Sequence, residues 1–85
     1  MDEWEHISAA GTYVLDPNKG ILKHITVNTA TGGICTVYDN TAASGRVIAQ
    51  LKSGVGERTY FYNLPYVNGL TVVLVTSGDL TVVYN

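Results

Sequence analysis

The chain holds few side chains able to do chemistry, and their spacing keeps them apart. His6 and His24 are its histidines, Asp2, Glu3, Glu5, Asp16, Asp39, Glu57 and Asp79 its acids, and Cys35 its one thiol. Soft-metal sites need ligands grouped as in His-x3-His or Cys-x2-Cys, and no such grouping occurs. Glu5 and His6 are sequence neighbours, which a strand would send to opposite faces. A nucleophile needs an adjacent base that is itself oriented. Cys35 and His24 could meet across a strand pair, but strand alternation places them on opposite faces, so Cys35 reads as a small buried hydrophobe. Gly32-Gly33 and Gly54-Val55-Gly56 lack the following helix and lysine of a phosphate loop. Asp16-Pro17-Asn18 and Asp39-Asn40 offer oxygens that suit calcium, yet the same residues are ordinary turn formers. No catalytic set can be assembled, so neither an enzyme nor a cofactor is expected.

Aromatic residues are the more informative group. Thr59-Tyr60-Phe61-Tyr62-Asn63-Leu64-Pro65-Tyr66 places consecutive aromatics on one strand, where they must point to both faces. One reading packs Phe61 in the core and leaves the tyrosines as surface residues. The other makes Tyr60, Tyr62 or Tyr66 the anchor of a protein interface, where tyrosine is enriched. Trp4, inside the acidic start Asp2-Glu3-Trp4-Glu5, either covers the end of its own domain or anchors an arm on a neighbour.

The elements that carry these residues are strands. Ten threonines and eleven valines fall in short alternating runs such as Ile25-Thr26-Val27 and Leu80-Thr81-Val82-Val83, and such residues fit a pleated, half-buried surface. Residues 1–18 are expected to give a docking arm plus a first strand, and residues 19–85 a β-sandwich core, within a single domain. A strand is expected over Ile21–Asn28 with Ile21, Lys23, Ile25 and Val27 inward, followed by a hairpin loop at Asn28–Gly33. Pro65 confines its strand to an edge or an end. Leu70–Val75 and Leu80–Tyr84 are expected to close the chain as a hairpin around Thr76–Asp79. The sum is an all-β domain of seven to eight short antiparallel strands, a β-sandwich or jelly-roll-like fold.

Composition narrows the partners. Apolar residues are 46% of the chain and charged residues 14%, against about 25% charged in an average domain. A net charge of −2 with scattered lysines and arginines does not suit nucleic acid. No apolar run approaches the ~20 residues of a membrane helix, and the acidic start is unlike a secretory signal. Synthesis in a reducing cytosol is expected for a chain with one thiol. A small domain without disulfides, short of charge, is expected to cover its apolar surface on other proteins, including copies of itself.

Four segments carry a resemblance. Gly20-Ile21-Leu22-Lys23-His24-Ile25-Thr26-Val27-Asn28-Thr29, Thr36-Val37-Tyr38-Asp39, Gly45-Arg46-Val47-Ile48-Ala49 and Gly69-Leu70-Thr71-Val72-Val73 resemble, in this order, small β-sandwich proteins of tailed-bacteriophage virions. The match covers about residues 19–85. It implies a virion component, foremost a head decoration (cement) protein on the outer capsid surface, made in the host cytoplasm. It also implies the major capsid protein as partner and a homo-oligomer, with a trimer favoured. Trp4, Tyr60, Tyr62 and Tyr66 are then the expected interface anchors. The alternatives are a tail, neck or fibre subunit, or a carbohydrate-binding module using tyrosines beside Asn63 and Asn68.

Overall fold

The computed structural model describes residues 2–85. Among them are eight strands, bounded by turn residues: β1 (Glu3–Ile7), β2 (Gly11–Asp16), β3 (Gly20–Thr29), β4 (Cys35–Asp39), β5 (Arg46–Leu51), β6 (Thr59–Tyr66), β7 (Leu70–Leu74) and β8 (Asp79–Tyr84). They form two four-stranded antiparallel sheets. Sheet A has the order β1-β8-β3-β6 and sheet B the order β2-β7-β4-β5. Two facing sheets with this interleaved order make a jelly roll. No helix among the described residues is long and apolar enough to cross a membrane.

The inner faces supply the core. Sheet A contributes Ile7, Leu22, Ile25, Val27, Leu80 and Val82, and sheet B contributes Cys35, Val37, Leu51, Leu70, Val72 and Leu74, all almost fully buried. Cys35 and Val37 alternate inward as their spacing requires. Pro65 lies on β6, an edge strand of sheet A, where its missing N–H costs no ladder bond.

Three expectations are corrected. The segments either side of Asn28–Gly33, and either side of Thr76–Asp79, are not hairpins: β3 and β8 belong to sheet A, β4 and β7 to sheet B. Their loops cross from one sheet to the other, and each of these four strands takes a central position between two ladder partners. Only β4 and β5 follow one another within a sheet. Second, the inward set of β3 is Leu22, Ile25 and Val27, while Ile21 is 39% exposed. The register slips between Leu22 and His24 against both neighbours: Lys23 is an extra residue against β8, while β6 carries the extra residue against β3, and the alternation of β3 flips there. Third, residues 2–18 are not a free arm. They give β1, paired with β8 on the edge of sheet A, and β2, paired with β7 on the edge of sheet B.

Two aspartates fasten the loops. The Asp39 carboxylate accepts the amide N–H groups of Val67 (2.9 Å) and Asn68 (2.8 Å), holding the β6–β7 link against the β4–β5 turn. Gly69 sits there with φ +135°, and an added Cβ would lie 3.0 Å from the carbonyl oxygens of both Asn40 and Asp16. Asp16 accepts the amide of Asn18 (3.0 Å) and the hydroxyl of Tyr66 (2.7 Å). Both carboxylates are thus engaged in turn and loop closure.

Candidate functional site

The outer face of sheet A brings together the exposed aromatic residues. Strand pairing aligns Trp4 with Val83, Val83 with His24, and His24 with Phe61, so one row crosses all four strands. At about 4.8 Å between strands the row spans roughly 14 Å. Trp4 is 67% and Phe61 73% exposed at its two ends. Between them the rings of His24 and Phe61 are 5.4 Å apart and tilted by 55°.

A polar row runs alongside. It aligns His6, Thr81, Thr26 and Thr59, and the hydroxyls of Thr26 and Thr59 are 2.9 Å apart. Beyond it, His6 Nε2 donates to Asp79 Oδ1 at 2.7 Å, since an ionised carboxylate can only accept. Asn28 Nδ2 donates to the same oxygen at 3.0 Å and to Thr81 Oγ1 at 3.2 Å. The Asn28 bond first, and then that of His6, hold the Asp79 carboxyl below its ordinary value. The chemistry available here is hydrogen bonding and stacking on a shallow, half-apolar surface.

Among the expected anchors, Trp4 lies on this face. Tyr60 and Tyr62 do not: they turn inward and pack partly against the core, and the Tyr60 hydroxyl ties back to the Gly56 carbonyl at 2.7 Å. Tyr66 is 1% exposed, with its hydroxyl on Asp16, and has no surface to offer a partner. Phe61 takes the outward place instead. The reason is the pairing with β3, which sets Tyr60 opposite the buried Ile25 and Phe61 opposite His24. Asn63, with φ 52°, absorbs the extra residue that β6 carries past the bulge, a conformation asparagine tolerates.

Two other surfaces stand out. The outer face of sheet B aligns Thr12, Val73, Thr36 and Gln50 in one row and Val14, Thr71, Tyr38 and Val47 in the next, with no charged side chain in either. Thr71 is buried there, its hydroxyl donating to the Asn40 carbonyl at 2.7 Å. Where β5 and β6 meet, a cavity of about 240 Å³ is lined by Asp39, Arg46, Val47, Ile48, Leu64, Pro65 and Val67. That is smaller than the about 300–1,000 Å³ of small-molecule sites. Cys35 lies on sheet B facing the core, where burial pushes its thiol up to about 11. No group of three or more His, Cys, Asp or Glu residues able to hold a metal occurs among the described residues.

No protein-family model and no curated protein matches the chain. Among solved structures, the core of Drosophila NLP, described for its pentamer formation and histone binding, aligns over 100% of this chain and 96% of its own. With 15% identity and a TM-score of 0.62, the likeness is one of fold.

Proposed function

We propose that the chain is a structural virion subunit, a decoration protein that lays the outer face of sheet A on the major capsid protein at the outside of a phage head. The observation that carries this reading is the pair Trp4 and Phe61, two large aromatics left exposed on one face without a part in the core. Aromatic anchors of this kind dominate binding energy when a partner desolvates them. Many copies, each held by a modest contact, would together brace the shell through multivalency. The subunit acts mechanically, has no catalytic step, and acts as a homo-oligomer. A trimer is the first expectation, with the pentamer-forming NLP core making five copies the alternative.

The test is binding of the purified protein to shells stripped of it. Trp4→Ala and Phe61→Ala are each expected to weaken occupancy at least about tenfold, the size of a hot-spot loss, while leaving the fold intact. Full occupancy by the double variant would overturn the reading. A carbohydrate-binding module is the second reading, because Trp4 stands beside the hydrogen-bonding set His6, Asp79, Asn28 and Thr81. Saturable glycan binding that Trp4→Ala abolishes, with no affinity for shells, would put it first.

A further inference from the structure

The two flanks of the sandwich, where the sheet edges lie, carry opposite charge. On one flank lie β1 and β2, joined by the short link Ser8–Ala10. Residues 2–16 hold no lysine or arginine, and Asp2, Glu3 and Glu5 are exposed there. On the other flank lie β5 and β6. Arg46 opens β5, Lys52 follows it and Arg58 precedes β6, all exposed. Two acids lie near this second flank: Asp39 is buried on two backbone amides, and Glu57 accepts the Ala30 amide at 3.2 Å. Arg46, Lys52 and Arg58 outnumber these acids and are exposed beside Glu57.

These charges have no ionic partner among the described residues. Among the described residues the one pair within 4.0 Å is His6 with Asp79, which leaves Glu3, Glu5, Arg46, Lys52 and Arg58 unpaired. Beside Arg46 lies the corner cavity, with the apolar walls Val47, Ile48, Leu64, Pro65 and Val67. An apolar centre rimmed by charge is the usual anatomy of a protein contact.

The geometry points to a head-to-tail contact between copies of this chain, in which the acidic β1/β2 flank of one copy seats on the basic β5/β6 flank of the next. Charge complementarity selects a second copy as the occupant. Contact between like flanks would set Glu3 and Glu5 against themselves, or Arg46 and Arg58 against themselves, and such juxtaposition is costly. The contact runs through side chains and not through a continued sheet, because Pro65 and the left-handed Asn63 spoil the β6 edge as a pairing template. A head-to-tail contact is heterologous, so it closes into a ring when the rotation between neighbours permits. Glu3 and Glu5 share the strand side of the buried Ile7 and so point toward the flank, whereas Trp4 and Phe61 point from the outer face of sheet A. The inference therefore stands apart from what that face binds.

The experiment uses the protein alone, without shells, and reads its mass by light scattering. The wild type is expected to form a discrete oligomer at about 10 mM salt that loosens toward about 1 M, as the screening length falls from ~30 to ~3 Å. Glu3→Lys with Glu5→Lys, and separately Arg46→Glu with Arg58→Glu, are each expected to weaken self-association at least about tenfold, a loss of the kind like-charge contact produces. All four changes in one chain should restore the oligomer, and mixing the two variants should make them co-assemble. Far-UV circular dichroism checks that each variant is folded. A wild type that stays monomeric at low salt, or an oligomer that neither charge reversal disturbs, would overturn the head-to-tail contact, and neither result bears on shell binding.

Discussion

Tyr66 shows how much one hydroxyl can settle. Its ring fills the end of the core and its OH reaches Asp16, fifty residues away. Tyr66→Phe keeps the ring and strips the carboxylate of that donor, so it should lower stability by about 1–2 kcal/mol, read as a shift of the urea midpoint. Ionisation at the alkaline end follows the same burial. Desolvation raises the Cys35 thiol from 9.0 to about 11, and it also raises the hydroxyls of Tyr62, Tyr66 and Tyr84, with Asp16 adding to the effect at Tyr66. Groups raised in the folded state bind protons more tightly there. Their stabilisation is complete below the unfolded values and is lost as pH rises through the folded ones. Urea midpoints should therefore fall as pH rises above 9.0, and Cys35→Val should flatten the first part of that slope. The place of Cys35 was legible in sequence, since it keeps step with Val37. That of Tyr66 was not, because its partner is remote in the chain and an amphipathic ring suits a surface as well as a core.

Among the elements, β3 separates local pattern from register. Read as strict alternation, Ile21 faces the core. Paired with the one-residue bulge at Lys23, Leu22 does. Leu22→Ala should cost about 2–5 kcal/mol, as for a fully buried leucine, whereas Ile21→Ala should cost about 1 kcal/mol or less in view of its exposure. Equal losses in thermal or urea unfolding would show that the bulge is misplaced. A bulge is a property of two strands together, so no reading of β3 alone reveals it, and the same holds for the inward turn of Tyr60 and the outward turn of Phe61. Strand positions themselves were legible, because Gly, Pro, Asn and Asp mark nearly every boundary. Asn28–Gly33 and Thr76–Asp79 read as hairpins in sequence because a short polar link looks alike whether it turns within a sheet or crosses to the facing one.

At the scale of the whole molecule, the order β1-β8-β3-β6 places the first strand against the last. β1 has no other ladder partner, and β8 is central to sheet A. Truncation after Gly78 should consequently not trim the sandwich but unfold it, with loss of the strand signal in far-UV circular dichroism; a folded, merely shortened product would contradict the topology. Two-sheet architecture was legible in the count and spacing of strands, while strand order, which depends on contacts between distant segments, was not. The exposed aromatic face was half legible: Trp4 stood out by its type, but its co-facial neighbour Phe61 emerged only from the pairing. The same end-to-end pairing shapes biosynthesis. His6 leaves the ribosome seventy-three residues ahead of the Asp79 that it contacts, and until then β1 has nothing to join. β3 and β6 can pair before β8 emerges, but completion of sheet A must wait for it. Translation of this chain is then a period of waiting, in which the nascent β1–β7 segment depends on chaperones or on speed to keep its valine-rich strands from pairing with those of its neighbours.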